Sequence, residues 1–219
     1  AAAWREVARR IAHEIKNPLT PIQLSVQRLR KKHDDGAADL PEVLVEATRT
    51  IEREVAALKT LVDEFSRFAR MPEVAPRPVA FREIVESVEA LYRGVPGTTW
   101  EIDISPEVGT VRLDAEQMRR ALINLVDNAI AATGGKGSIR ISARVHEESG
   151  SLRIEVADTG PGIPEADRER MFLPDFSTKR RGTGLGLAIV HRVITDHQGT
   201  IRVEENHPRG ARFVIEIPA

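Results

Sequence analysis

The decapeptide A-H-E-I-K-N-P-L-T-P at residues 12–21 lies within a periodic segment that predicts a long amphipathic helix. Around it, apolar residues recur every three or four positions. They are Val7, Ile11, Ile15, Leu19, Ile22, Val26 and Leu29. At about 100° per residue, His13 lies roughly 200° from Ile11 and so faces away from this apolar stripe. The sequence therefore predicts an exposed histidine on a helix that spans about residues 3–32.

Two polar residues share the predicted surface around His13. Asn17 follows one turn later on the same face, and Glu14 lies at the adjoining edge. Pro18 removes the backbone hydrogen bond to the Glu14 carbonyl, which predicts a kink just after the histidine. Taken alone, such a patch is more often a solvated surface pair than a site of chemistry. A zinc site of the H-E-x-x-H type is not expected, because Asn17 occupies the second histidine position.

A second helix is predicted after a turn at residues 33–38. Asp39 and Glu42 have the spacing of a capping box, with Asp39 as the cap. The helix then carries a heptad seam of apolar and small residues. The seam consists of Leu44, Thr48, Ile51, Val55, Leu58, Val62, Phe65 and Ala69. Each helix of such a hairpin buries one face, so residues 1–71 are predicted to form a homodimeric four-helix bundle. An intramolecular coiled-coil spacer is the alternative.

The composition excludes several classes of function. The chain has 219 residues and no cysteine, which rules out disulfides, thiolate catalysis and cysteine-based zinc sites. Its formal net charge of -1 gives no electrostatic reason to expect a nucleic acid partner. No apolar run reaches the roughly 18 residues of a membrane span, and the start lacks a signal peptide. The given residues are expected to be a soluble fragment of a longer protein.

A second domain is predicted at residues 81–219, after a proline-rich linker at residues 72–80. Its pattern combines hairpin and helical connections between strands, which indicates a mixed sheet with helices on one face, an α/β two-layer sandwich. The predicted helices are residues 81–92, 114–133 and 184–197. The predicted strands are residues 100–104, 111–113, 139–145, 152–156, 200–204 and 212–217.

The first of three motifs in this domain is N-L-V-D-N at residues 124–128. Asn124 and Asn128 lie one turn apart on the same face of a predicted helix. Carboxamide oxygens can ligate Mg²⁺, which commonly takes its remaining ligands from phosphates and water. Two solvated asparagines are the alternative interpretation. The motif alone therefore leaves the metal site open.

Two glycine-rich motifs follow. D-T-G-P-G at residues 158–162 comes directly after a predicted strand, where Asp158 could accept a hydrogen bond from an exocyclic amine and the glycines would admit a flat ligand. G-T-G-L-G-L at residues 182–187 opens a helix whose free N–H groups suit phosphate. Its spacing fits neither a Walker loop nor a dinucleotide fingerprint. The order of the three motifs is stronger evidence than any one of them.

In this order the motifs resemble those of the cytoplasmic transmitter of two-component sensor histidine kinases. The matching runs are H-E-I-K-N-P at 13–18, N-L-V-D-N at 124–128, D-T-G-P-G at 158–162, a lid from Phe172 to Lys179 and G-T-G-L-G-L at 182–187. The run A-R-R-I-A-H-E-I-K-N-P-L-T-P-I-Q-L-S is most similar to the NtrY-like branch, linked to nitrogen regulation. The resemblance implies a dimerisation and phosphotransfer hairpin followed by an ATP-binding domain of the GHKL (Bergerat) type.

The resemblance implies roles for the residues of the helical hairpin. His13 would be the phosphorylated nucleophile and Glu14 the neighbour that takes or orients its ring proton, because only a neutral imidazole nitrogen has a lone pair for attack. Asn17 would orient water when the protein dephosphorylates its partner. That partner would be a response-regulator receiver domain, NtrX-like by analogy. The full-length protein would be anchored in the cell membrane.

The resemblance also implies a site for ATP and Mg²⁺ in the second domain. Asn128 would ligate Mg²⁺, Asn124 would lie near the phosphates, Asp158 would bind adenine, and Lys179 would contact the γ-phosphate. Small residues of the two glycine-rich motifs would shape the nucleotide pocket. They are Gly160, Gly162, Gly182, Thr183, Gly184, Leu185 and Gly186.

Some residues depart from the family pattern. Ala131 stands where many members carry a basic residue, and Asp175 interrupts what is often an aromatic pair before Phe176. Residues 163–181 are expected to be mobile without nucleotide, because they are highly charged and sparsely apolar.

Two other functions stay open at this point. One is an ATP-driven clamp, since the same nucleotide fold resembles that of gyrase, Hsp90 and the MutL proteins. Those proteins carry a glutamate as water-activating base where this chain has Asn124, which argues against ATP hydrolysis as the purpose. The other is a dimeric scaffold or dedicated phosphatase that binds nucleotide weakly. The intact motif set favours the kinase over both.

Overall fold

The computed structural model describes residues 2–69, 72–146, 148–173 and 185–218, with the backbone alone for residues 2–11, 13, 64 and 67–69. The described chain forms two compact units. One is a helical hairpin within residues 1–71, and the other begins at Pro72.

The hairpin consists of helix α1 (Ala2–Asp34) and helix α2 (Leu40–Ala69). Helix α1 continues through Pro18 and Pro21, and the predicted kink stays a prediction. The predicted capping box at the start of α2 differs in the structure. The Asp39 carboxylate accepts hydrogen bonds from Lys32 Nζ at 2.9 and 2.7 Å, so it joins the two ends of the turn. This hydrogen bond lowers the pKa of Asp39.

The predicted heptad seam of α2 divides into two lines. Ile51, Leu58 and Phe65 are half-buried, whereas Val55 and Val62 keep 52% and 51% of their surface exposed. A single neighbouring helix can cover only part of an apolar arc, and α1 covers the first line. The fully buried positions of α2 lie on the same side. They are Val43, Ala47 and Leu61.

The second unit alternates strands and helices. Its strands are β1 (Arg77–Ala80), β2 (Thr98–Ile104), β3 (Thr110–Leu113), β4 (Gly137–Val145), β5 (Leu152–Asp158), β6 (Thr200–Glu205) and β7 (Ala211–Ile217). Its helices are α3 (Phe81–Tyr92), α4 (Ala115–Thr133), α5 (Glu165–Arg168) and α6 (Leu185–Asp196). Single 3₁₀ turns lie at Pro106–Val108 and Arg170–Phe172.

Five strands form one mixed sheet in the order β2-β4-β5-β7-β6, in which only the β2–β4 pair is parallel. Alternate residues point inward, such as Ile141, Val156 and Phe213, which lie side by side on neighbouring strands. Helix α4 packs on β4 and β5, and α3 packs on α4. The predicted α/β two-layer sandwich, with a mixed sheet covered by helices on one face, is confirmed. The opposite face of the sheet carries mostly paired charges.

The segment predicted as a linker, residues 72–80, is largely attached to the second unit. Its last four residues form β1, which pairs antiparallel with β3. Ala75 N donates to Asp114 Oδ2 at 3.1 Å, and Gln117 Nε2 donates to the carbonyl of Pro72 at 3.1 Å. A strand of four residues that includes a proline has no periodic signal, and Pro78 is tolerated because this small sheet leaves its backbone at an edge.

In the parts of the chain that the structure describes, no helix combines the length and the apolar character that a membrane span requires.

Candidate functional site

Asp158 is a buried carboxylate at the carboxyl end of β5, on the helix-covered face of the sheet, with 4% of its surface exposed. Its Oδ1 accepts hydrogen bonds from the backbone N–H groups of Gly160 at 2.8 Å and Ala211 at 3.3 Å. Burial raises the pKa of Asp158, and these two donors partly oppose that rise. No donor among the described residues bonds Oδ2, which leaves this oxygen as an acceptor for a ligand.

Helix α4 carries both asparagines of the first motif. Asp114 caps the start of the helix, because its side chain accepts a hydrogen bond from Gln117 N at 3.1 Å. Asn124 Nδ2 donates to the Arg120 carbonyl one turn earlier at 2.9 Å, which fixes the side chain. Asn128 follows one turn later and is half-buried.

Gly186 brings the third motif against Asn124. A Cβ atom at Gly186 would lie 3.0 Å from Asn124 Oδ1, which is closer than side chains normally pack. The missing side chain therefore lets the first turn of α6 approach the amide of Asn124. Two of the three predicted motifs meet at this point.

The second motif meets the end of α4. A Cβ atom at Gly160 would lie 2.8 Å from Asp158 Oδ1 and 3.0 Å from the Cβ of Ala132. Gly162 has a φ of +82°, a left-handed conformation that glycine adopts readily. The backbone around Asp158 therefore requires glycine at both positions. The absence of side chains there is also what the predicted close approach of a flat ligand needs.

Three further residues of the site lie between β6 and β7, where no motif of the sequence predicts a functional role. Asn206 Nδ2 donates to the Asp158 carbonyl at 2.8 Å, and Arg209 Nε donates to the Gly160 carbonyl at 3.0 Å. Gly210 has a φ of +121°, and a Cβ atom there would clash with the carbonyl oxygen of Asp158. These contacts depend on the pairing of β5 with β7, which no local pattern reveals.

The lid begins within the described residues. The Phe172 ring lies 5.9 Å from the ring of His191 and 6.4 Å, edge to face, from that of Phe213. Of the other predicted lid and pocket residues, Leu185 is the first residue of α6. Several lie outside the described residues: Asp175, Phe176, Lys179, Gly182, Thr183 and Gly184.

On the hairpin, the structure gives the surroundings of the predicted nucleophile. His13 lies in α1, and its side chain is outside the described atoms. Asn17 is exposed, Glu14 is half-buried, and Pro18 between the exposed neighbours is buried. The exposed face predicted for Asn17 and the edge position predicted for Glu14 agree with these exposures.

Asn128 on α4 is the residue that could hold a magnesium ion. In the described part of the chain, no three histidine, cysteine, aspartate or glutamate side chains cluster as a metal site. An ion at Asn128 would then take most of its ligands from phosphates and water, which is the usual preference of Mg²⁺. The amide oxygen of Asn124, one turn away, lies beside Gly186 at the start of α6.

Two family models match most of the chain. Residues 3–73 match the "His Kinase A (phospho-acceptor) domain", and residues 113–219 match the "Histidine kinase-, DNA gyrase B-, and HSP90-like ATPase" family. The chain belongs to the sensor histidine kinase family. The motifs that carry the predicted resemblance therefore lie within two matched histidine kinase domains, and the predicted family is confirmed.

Individual histidine kinases extend this result. The nitrogen regulation protein NtrY of Azorhizobium caulinodans is 40% identical over 228 residues, which cover all of this chain and 29% of NtrY. The crystal structure of ThkA in complex with the response regulator TrrA has a TM-score of 0.74 at 33% identity, over 97% of this chain and 61% of ThkA. Full-length ShkA in complex with AMPPNP has a TM-score of 0.67 at 29% identity, over 98% of this chain and 45% of ShkA. The chain thus spans less than a third of NtrY.

Proposed function

We propose that the chain is an ATP-dependent protein-histidine kinase that phosphorylates His13 and passes the phosphoryl group to an aspartate of a response regulator. One observation carries the proposal. The second unit brings Asn124 against Gly186 and leaves Oδ2 of the buried Asp158 as an acceptor, which is what the three nucleotide motifs require. The AMPPNP complex of the similar kinase ShkA supports ATP as the nucleotide.

The nucleotide site would select adenine through Asp158. A carboxylate oxygen accepts a hydrogen bond from the exocyclic amine of adenine, whereas guanine and hypoxanthine present a carbonyl oxygen at the same position. Gly160 and Gly162 leave room for a flat ring beside the carboxylate. The amides of Asn124 and Asn128 would face the phosphates. Mg²⁺, when bound at Asn128, would neutralise charge on the phosphate oxygens.

The hairpin would supply the nucleophile. The lone pair of a neutral imidazole nitrogen of His13 attacks the γ-phosphorus, the bond to the β,γ-bridging oxygen breaks, and ADP leaves. Glu14 would accept or orient the proton on the other ring nitrogen. The phosphoramidate then passes its phosphoryl group to the regulator's aspartate. Asn17, which is exposed, would orient water for dephosphorylation of the regulator.

Two partners follow from the proposal. The first is a second copy of the chain, bound through the hairpin at residues 1–71, whose exposed apolar line fits a four-helix bundle. The second is a response regulator, as in the ThkA–TrrA complex. Similarity to NtrY favours an NtrX-like regulator. The proposed domains are residues 1–71 and 81–219, with residues 72–80 between them bound to the second unit through β1. The proposed location is the cytoplasmic side of a membrane-anchored protein.

Radiolabelled ATP tests this function. We expect the chain, incubated with Mg²⁺ and γ-labelled ATP, to acquire a label that is labile in acid and stable in alkali, as a phosphoramidate is. A His13→Gln variant should acquire none. The matched control is His146→Gln, because His146 is an exposed histidine outside the site.

Two results would overturn the kinase proposal. One is label retained by His13→Gln. The other is an unlabelled parent that nevertheless binds ATP well, which would favour a scaffold or a dedicated phosphatase.

A further inference from the structure

The turn at residues 206–210, between β6 and β7, holds the loop that carries Asp158. We propose that Asn206 and Arg209 in this turn are positioning residues that set the selectivity of the site for adenine. The inference rests on the proposed function, since it assumes that Asp158 binds the nucleobase.

Three hydrogen bonds join the turn and the residue after it to the Asp158 loop. Asn206 Nδ2 donates to the Asp158 carbonyl at 2.8 Å, Arg209 Nε donates to the Gly160 carbonyl at 3.0 Å, and Ala211 N donates to Asp158 Oδ1 at 3.3 Å. Two of the three come from side chains. The backbone immediately around the carboxylate is therefore held by residues about 50 positions away in sequence.

The turn is itself held by a backbone hydrogen bond and by the two strands that it joins. Asn206 N donates to the Gly210 carbonyl at 3.0 Å, which closes the turn. Gly210 contacts the Asp158 carbonyl so closely that any side chain would clash. Strands β6 and β7 continue the same pairing up to Glu205 and Ala211. The support thus extends from the sheet to the loop without a gap.

Selectivity for adenine would depend on the turn because one acceptor, Asp158 Oδ2, would recognise the base. Oδ1 of Asp158 is occupied by two N–H donors, so the direction of Oδ2 follows from the orientation of the whole carboxylate. A site that hydrogen-bonds one substrate group rejects an analogue lacking it only while its own polar group is fixed. Loss of the Asn206 or Arg209 bond frees the loop and lets the carboxylate reorient toward water.

Nucleotide selectivity provides the test. The full chain and its Asn206→Ala and Arg209→Ala variants are titrated with ATP and with inosine triphosphate, which carries a carbonyl oxygen in place of the exocyclic amine. We expect each variant to bind ATP roughly two- to tenfold more weakly, the size of one hydrogen bond, with the inosine triphosphate Kd unchanged. Asp158→Asn should reverse the preference, because its amide nitrogen would replace Oδ2 and donate to the carbonyl oxygen of inosine triphosphate.

A matched control and a melting curve separate positioning from general loosening. Arg144→Ala removes an arginine that pairs with Asp103 on the outer face of the same sheet and should change neither Kd. If Asn206→Ala does not fold, Arg209→Ala decides, because its side chain is exposed and its removal leaves no cavity.

Each outcome has a distinct meaning. An unchanged ratio of the two Kd values in the folded variants, or equal weakening for both nucleotides, overturns the positioning role and leaves the kinase proposal intact. Absence of ATP binding by the parent overturns the proposed function and this inference with it. The inference is supported if the Kd for inosine triphosphate divided by the Kd for ATP falls in both Asn206→Ala and Arg209→Ala and stays constant in Arg144→Ala.

Discussion

The helical hairpin and the second unit differ in how far their apolar side chains are buried. In the hairpin, Leu19, Leu44 and Val55 keep 47%, 52% and 52% of their surface exposed. In the second unit, core side chains such as Leu125 and Ile154 are fully buried by helices and strands of the same chain. The core of the second unit is therefore buried within that unit, whereas the hairpin leaves an apolar line exposed that the proposed second copy would cover.

The largest expected effect is the loss of the dimer. Val55→Glu would place one charge from each copy inside the proposed four-helix bundle, at a cost of at least about 3 kcal/mol, or roughly a 100-fold weaker association. We expect sedimentation velocity to show a dimer for the parent and a monomer for the variant at micromolar concentration.

An exposed apolar residue outside the hairpin provides the control. Leu91 in α3 is 55% exposed, as open as Val55 in the single chain, yet Leu91→Glu should leave the dimer intact. A Val55→Glu protein that remains dimeric would show that this line of α2 does not face the partner.

The second largest effect concerns a buried histidine of the second unit. His197 Nε2 accepts the backbone N–H of Asp114 at 3.0 Å, and its Nδ1 lies 2.7 Å from the Val193 carbonyl, which fixes the proton on Nδ1. His197→Ala removes the buried ring and leaves the Asp114 N–H unpaired, whereas the Val193 carbonyl keeps its hydrogen bond from the backbone N–H of residue 197 at 3.1 Å. We expect the free energy of unfolding of this unit to fall by about 2–4 kcal/mol.

Denaturant titration followed by tryptophan fluorescence measures this loss. A Trp4→Phe background leaves Trp100, in β2 of the second unit, as the only reporter. The exposed His146 gives the control His146→Ala, which should unfold like the parent. A dimer constant that changed with His197→Ala would mean that the two units do not behave independently.

Local signals explain what the sequence predicted well. The cap at Asp114 and the periodicity after it predict a helix at residues 114–133, and α4 spans Ala115–Thr133. The alternation on both sides of the turn near Gly150 predicts the β4–β5 hairpin that the structure contains. Capping, helical period and strand alternation are set by neighbours in sequence, so they can be read from it.

Long-range pairing explains what the sequence could not predict. Strand β1 forms only because β3, about 30 residues later, pairs with it. Asn206 and Arg209 lie in a turn without a distinctive local pattern, and they reach the Asp158 loop because β7 pairs with β5. The heptad seam likewise predicts apolar positions on α2 but does not say which of them α1 covers.

Two aspartates, one in each unit, have pKa values shifted in opposite directions from the ordinary value. Burial raises the pKa of Asp158, so burying its charge costs folding stability at neutral pH, and this cost disappears as pH falls through the raised pKa. The hydrogen bond from Lys32 lowers the pKa of Asp39, so its contribution is present at neutral pH and is lost as pH falls through the lowered pKa.

Carboxyl-carbon NMR titration of the full chain measures both groups. We expect Asp158 to titrate above the ordinary aspartate range and Asp39 below it. ATP affinity should decrease as the pH is lowered and Asp158 becomes protonated, because a protonated carboxyl is a poorer acceptor for the adenine amine. A Lys32→Met variant should return Asp39 to the ordinary range without moving Asp158, whereas a shift of both would contradict the assignment.

The smallest expected effects lie on the charged face of the sheet, where two arginines differ in what surrounds them. Arg144 and Asp103 pair with 61% and 51% of their side chains exposed, so Arg144→Ala should cost no more than about 0.5 kcal/mol. Arg212 is 35% exposed and pairs with Glu155 and Glu204. Val214, two residues along on the same face, is fully buried and pairs across the sheet with Glu155 and Arg202, so we expect the stems of the charged side chains to cover it.

Salt separates these two contributions. High salt screens an exposed pair, so 0.5 M NaCl, where the Debye length falls to about 4 Å, should abolish the effect of Arg144→Ala on the unfolding free energy. Arg212→Ala should cost about 1–2 kcal/mol at either salt concentration, because uncovering Val214 removes hydrophobic contact that salt does not screen. Equal salt sensitivity of the two variants would mean that Arg212 acts through charge alone. The charged side chains of this face would then add no hydrophobic burial to the core of the second unit.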